Sequence, residues 1–194
     1  MEITFKSAGL DDFIAQMSNF SSKTALDSVR AVNKVIASSR AGAAAEIMQQ
    51  VNFTRSYLGS PNDRNARLAI TKRATRGDVE ATISARVRPT SLANPVFLKN
   101  SRPGDVRVAV RGNFSKPLRG AFVVRLRNGN MGLAQRVHAG SPLRNSRGAK
   151  RLSGNVYLLY GPSVDQVFQT VRDDIAPKAI TDLRNEMIRL QRVK

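Results

Sequence analysis

"LRGAFVVRLRNGNMGLAQRV" (residues 118–137) decides the fold class. An apolar-rich run leads to Asn128-Gly129, and a second run follows. Asn-Gly is the strongest two-residue hairpin signal, because both central positions of a type I′ turn need positive φ. In that register Leu126 faces Met131, Val124 faces Leu133 and Phe122 faces Gln135. These residues then line one buried face, while Val123, Arg125 and Arg127 point to the other. A one-residue slip in this register would bury arginine, so the alternation is expected to fix the pairing.

The runs upstream of the hairpin point to the same sheet. "EITFK" (residues 2–6), "RLAITKRAT" (67–75), "DVEATISARVRP" (78–89) and "DVRVAVRG" (105–112) alternate apolar and polar residues. Ile70, Val79, Ala81, Ile83, Ala85 and Val87 mark a buried side, with a turn at Gly77-Asp78. Val106, Val108 and Val110 mark another. "VYLLYGPS" (156–163) reads as a short strand ending at Gly161-Pro162. Residues 138–155 have no periodicity but several Gly, Pro and basic residues, which predicts a mobile basic loop.

Helical spacing dominates both ends. Asp11 and Asp12 open a short helix through residue 20. Residues 21–51 form a longer one, with Ser22 or Thr24 as cap and Leu26, Val29, Ile36, Ala43, Ile47 and Val51 near one stripe. Its second half is alanine-rich, through helix propensity or to let a neighbour approach closely. Ser163 caps a terminal helix whose stripe is Val164, Val167, Phe168, Val171 and Ile175. Pro177 kinks or restarts it, and Ile180, Leu183, Met187 and Leu190 continue at three-to-four spacing. The fold class expected is α+β: a central twisted antiparallel sheet with long N-terminal and C-terminal helices. It is one domain over 1–194, with a helical part (1–53), a basic β-rich part (54–160) and a C-terminal helix (161–194).

Charge follows those divisions. The chain has 194 residues, 32 Lys+Arg against 14 Asp+Glu and a formal charge of +18. Residues 1–53 are neutral, residues 54–160 carry +17, and residues 161–194 carry +1. Such a field favours a negatively charged neighbour.

Reactive chemistry is scarce by comparison. There is no Cys and one histidine, His138, with no Cys or carboxylate near it in sequence, so metal and triad sites have no partners to converge. Asp173 and Asp174 are adjacent on a helix and diverge by ~100°. "GNFSKPLRG" (112–120) lacks the spacing of a phosphate loop. No serine sits in a nucleophile elbow. Neither a signal peptide nor a membrane span is legible, so the chain reads as soluble and made in a cytoplasm. Tyr57, Phe97, Phe114, Phe122, Tyr157 and Tyr160 lie near the arginines, but most read as core, which disfavours a base-stacking platform. No zinc-finger, basic-zipper or RNA-recognition signature is present. Contact with a nucleic-acid backbone or an acidic surface remains.

Two segments carry a family resemblance. "RGAFVVRLRNGNMGLAQRV" (119–137) is similar to a segment of phage minor tail protein Z relatives, in which Gly-Ala-Phe leads into a hairpin ending in Arg-Val. "LYGPSVDQVFQTV" (159–171), followed by a terminal helix, resembles the Leu-Tyr-Gly-Pro-Ser segment of the same family. "SARVRPTSLANPVF" (84–97) is weaker support. In those relatives the hairpin passes quickly into Leu-Tyr-Gly-Pro-Ser, whereas here residues 138–157 intervene.

The resemblance implies a structural virion protein that completes the head-proximal end of a long phage tail, enables head–tail joining and is assembled in the host cytoplasm. It implies no cofactor, no metal and no catalytic residue. The partners implied are a homo-hexameric ring, the tail terminator, the tail tube and head-completion or connector proteins. Genomic DNA in the channel is a further candidate, and no membrane is involved. The candidate contacts to DNA or an acidic partner are Arg125, Arg127, Arg144, Arg147, Lys150 and Arg151. The candidate subunit interface is Ala41, Ala44, Ile47, Leu183, Met187 and Leu190. The alternative reading is a sequence-independent nucleic-acid-binding protein.

Overall fold

In a computed structural model, residues 2–4, 22–138, 143 and 148–192 are described. The fold is α+β, with a long helix towards each end and antiparallel sheets between them. The single twisted sheet expected from the sequence is replaced by three small ones. The chain divides into two compact units. The first comprises residues 1–46, 58–86 and 168–194; the second comprises 47–57 and 87–167.

The first unit is built on two helices, α1 (Ser22–Gln50) and α3 (Val164–Arg192), each of which ends or begins in the second unit. Its sheet has the order β1 (Glu2–Thr4), β3 (Thr82–Ala85), β2 (Leu68–Lys72). Ala31, Val35, Ile36, Ala43 and Ala44 form the buried stripe of α1, recurring at helical spacing. Leu68, Ile70, Ile83 and Ala85 bury the sheet, and Phe168, Val171, Ile175 and Met187 bury α3. Val87, expected inside, is exposed. The turn between β2 and β3 sits one residue earlier than expected, since Thr75 and Asp78 bond each other across Arg76-Gly77. Helix α3 is continuous through Pro177.

Polar groups fasten this unit together. Asn33 of α1 donates from Nδ2 to the Ala74 carbonyl (2.9 Å) and accepts the Ala74 N–H (3.0 Å), as a strand neighbour would. Arg40 is buried in α1, and its guanidinium donates to the Leu68 carbonyl (3.3 and 3.1 Å) and to the Gly59 carbonyl. Those bonds hold the chain after the short helix α2 (Arg55–Leu58) against α1. Gly59 must be glycine there: its φ is +87° and an added Cβ would lie 2.7 Å from Ala66 Cβ.

The second unit contains the other two sheets. One has the order β4 (Leu98–Arg102), β5 (Asp105–Val108), β6 (Lys116–Pro117), and the other β7 (Ala121–Arg125), β8 (Met131–Arg136), β10 (Val156–Leu159), β9 (Ala149–Ser153). Phe53 stacks on Tyr57 with centroids 5.1 Å apart and meets Phe97 at 5.3 Å.

The hairpin β7–β8 forms with a different register from the one its sequence suggests. Phe122 pairs Ala134, Val123 pairs Leu133, Val124 pairs Gly132 and Arg125 pairs Met131. Leu126 N–H bonds the Asn130 carbonyl, and Gly129 N–H bonds the Leu126 carbonyl. The loop is therefore three residues, Arg127-Asn128-Gly129, with Gly129 alone at positive φ (+78°). This is a type I turn closed by a glycine bulge rather than a type I′ turn. The shift splits the expected face: Val124 and Leu126 lie beside Gly132, whereas Leu133 faces the opposite side with Arg125 and Met131. Met131 is accordingly 51% exposed and Phe122 only half-buried.

Candidate functional site

The second unit contains two of the chain's 14 carboxylates, Asp105 and Asp165, and 15 of its 32 Lys and Arg residues. Asp105 is shared by Arg107 Nε (2.8 Å) and Asn100 Nδ2 (2.8 Å), and Asp165 is buried in the first turn of α3. Two carboxylates cannot neutralise fifteen cations. From Val106 to Val164 there are eleven Lys and Arg and no acid. The described members of that group (Arg107, Arg111, Lys116, Arg119, Arg125, Arg127, Arg136, Lys150 and Arg151) are all exposed.

Strand geometry spreads the cations of the β7–β8–β10–β9 sheet over both its faces. Arg125 closes β7 beside Met131, and Arg127 stands in the turn. Lys150 and Arg151 do not lie on a loop: they belong to β9, where Lys150 pairs Leu158 and Arg151 pairs Tyr157. As strand neighbours they point to opposite faces. Arg151 Nε also donates to the Gly154 carbonyl (3.0 Å). Arg144 and Arg147 lie outside the described residues. The six expected contact residues are therefore not one patch: the four that are described occupy a turn, a strand end and both faces of an edge strand.

The expected interface residues also divide. Ala44, Ile47 and Met187 are buried within the chain itself, Leu183 and Leu190 are half-buried, and Ala41 is exposed.

Two features had no clear signal in the sequence. Arg40 is one, a buried cation in an alanine-rich helix. The other is Phe114, one of six aromatics of which most read as core, which is 88% exposed. Its surroundings, Gly112 and Ser115 between Arg111 and Lys116, with Pro117 next, are turn chemistry, and that was the available clue.

The Leu-Tyr-Gly-Pro-Ser segment has a definite structural task. Ser91 pairs Tyr160 as an isolated bridge, Gly161 N–H bonds the Thr90 carbonyl (2.7 Å), and Leu92 N–H bonds the Leu159 carbonyl. An added Cβ on Gly161 would lie 2.9 Å from the Phe97 ring and 3.1 Å from Leu92. Ser163 then opens α3 with a reciprocal capping box: its Oγ accepts the Gln166 N–H (3.0 Å) while Gln166 Oε1 accepts the Ser163 N–H (2.9 Å). Residues 84–97 and 159–163, both singled out by resemblance, thus meet in space.

Ion pairs shift the titration of groups in the first unit. The Arg189 guanidinium and the Lys34 ammonium (2.7 Å) hold the Glu186 carboxyl down at about 2, from an ordinary 4.5. Lys72 is raised by Asp78 and Glu80, and Asp78 is lowered by Lys72. Among the described residues no group of three or more His, Cys, Asp or Glu is placed to hold a metal ion. No described helix is long and apolar enough to cross a membrane.

The family model described as prophage minor tail protein Z matches residues 7–192. No curated protein and no solved structure matches the chain.

Proposed function

The chain belongs to the prophage minor tail protein Z family and is thus a structural component of a phage tail; from that premise we propose that it completes the head-proximal end of the tail and enables its joining to the filled head. The observation that carries this reading is the family match across 7–192 of 194 residues. In this reading it forms a ring, six copies matching a six-fold tail, because a closed cyclic assembly repeats one interface around an axis. Its neighbours are the tail terminator, the tail tube and the head-completion or connector proteins. The surplus of cations over carboxylates in the second unit supports acidic neighbours or DNA in the channel.

Complementation in vitro tests the role. Particles made without this chain should yield separate filled heads and tails that join when the purified chain is added. Tails that join normally without it would remove the head-proximal role.

A second reading, sequence-independent nucleic-acid binding, is favoured by one observation, the acid-free stretch from Val106 to Val164. It predicts that the purified chain alone binds random duplex DNA. Affinity should fall with salt by about 0.9 log units per log unit for each phosphate contacted.

A further inference from the structure

Phe114 is held out in solvent by a loop that is fastened on both sides. Asn52 Nδ2 donates to the Ala109 carbonyl (3.1 Å) and to the Gly112 carbonyl (2.6 Å), and Asn52 N–H bonds the Val110 carbonyl (2.9 Å). Arg111 Nε donates to the Gln50 carbonyl (3.2 Å), which holds its guanidinium beside the loop. On the far side β6 pairs β5, and Leu118 N–H bonds the Val106 carbonyl (2.8 Å). Gly112 turns the chain at φ +53°. The aromatic ring is therefore presented by a built scaffold.

A ring left in water gains free energy from any ligand that covers its face. Two features of the loop select that ligand. The first is charge. Arg111 precedes the ring by three residues and Lys116 follows it by two, and both are exposed. Along the chain that keeps them within about 11 and 7 Å of Phe114. No carboxylate lies between Val106 and Val164, so this stretch repels no polyanion. The second is isolation. Phe114 is the one apolar side chain in residues 111–116, among Gly112, Asn113 and Ser115. A protein hot spot needs a shell of neighbours that excludes water, and these three residues supply little of it. A nucleobase needs only a ring face to stack on and cations beside it for the phosphates. In a duplex both faces of a base are covered by its stacked neighbours, whereas an unpaired base has a face to offer.

We propose that the 111–116 loop is a stacking point for single-stranded DNA. Phe114 takes one unpaired base, and Arg111 and Lys116 take phosphates on either side of it. One ring is a point of attachment rather than a platform, so the cations supply most of the affinity and the ring adds preference for unpaired bases. The site deepens the nucleic-acid reading given above and rests on it.

Fluorescence anisotropy with two probes, oligothymidylate and a random duplex of equal length, tests this directly. Phe114→Ala should weaken oligothymidylate binding about 10-fold and leave duplex binding unchanged. Phe114→Trp should restore it. The salt slope of Phe114→Ala should equal wild type, because no phosphate contact is removed, while Lys116→Ala should lower the single-strand slope by about 0.7. None of these variants should unfold, since both side chains are exposed; thermal unfolding checks this.

Unchanged oligothymidylate affinity in Phe114→Ala would overturn the stacking site, and duplex binding by the wild-type chain would keep the nucleic-acid reading standing. A wild-type chain that binds neither probe at low salt would remove both. Equal losses on strand and duplex would overturn the single-strand assignment and make Phe114 a wedge between paired bases. Polyglutamate bound as tightly as oligothymidylate, with the same dependence on Phe114, would assign the loop to an acidic protein instead.

Discussion

Single residues in this chain matter through space they leave empty. Gly161 and Gly132 both lie where a Cβ would collide, but with different neighbours. At Gly161 the neighbour is the fully buried Phe97 ring, which cannot swing aside. At Gly132 it is the end of the Leu158 side chain, at 2.8 Å, which can rotate. Gly161→Ala should therefore cost about 1–3 kcal/mol in denaturant unfolding, and Gly132→Ala distinctly less; equal costs would contradict the rigid-ring argument. Glu186 gives a pH dependence. Its carboxyl is depressed in the folded chain by Arg189 and Lys34, so its contribution is fully present above the ordinary 4.5 and disappears as pH falls through about 2. Thermal unfolding of Glu186→Gln should be lower than wild type at neutral pH, with the gap closing towards pH 2. A gap that stays constant with pH would mean that the ion pairs contribute nothing. The glycine clashes are invisible in sequence, because they depend on distant side chains, Phe97 for Gly161 and Leu158 for Gly132. Ser163 was legible, because Ser-x-x-Gln before an apolar run is local chemistry.

Elements were legible where one face is buried. Helices α1 and α3 announce themselves by apolar spacing, and β2, β3 and β5 by alternation. Strands β4, β6 and β9 are different: "LKNSR", "KP" and "AKRLS" lie at sheet edges and are largely exposed, so no hydrophobic pattern marks them. Edge strands rich in cations are a usual guard against unwanted pairing. That is why Lys150 and Arg151 read as loop. The hairpin was legible as a hairpin but not in register, since Asn128-Gly129 satisfies both a two-residue turn and a three-residue loop with a glycine bulge. The two are separable by substitution. Gly129→Ala should cost about 1–2 kcal/mol, the penalty of a left-handed alanine. Asn128→Ala should cost less, limited to the Asn128 Oδ1 bond to Asn130 N–H. Equal penalties at the two positions would restore the type I′ register.

At the scale of the whole molecule, charge is divided between two compact units. The first carries 17 cations with 12 carboxylates, the second 15 with two. The total and its concentration in the middle were legible from composition. The absence of one central sheet was not, because strands of four or five residues carry too little pattern to say which of them pair. If the basic unit meets a polyanion, replacing Arg144, Arg147, Lys150 and Arg151 together with Ala should leave folding intact. Particles built with that variant should lose DNA or a junction partner at lower salt than wild type, through fewer counterions released. Unchanged salt tolerance and full infectivity would move attention to Arg125 and Arg127.

The central claim is a place in the virion, and one reconstruction of the intact head–tail junction by electron cryo-microscopy tests it. The account predicts a closed ring of this chain between the tail tube and the head, with the second unit against DNA or an acidic neighbour. Density for the chain at the distal tip, or a junction complete without it, would contradict the account.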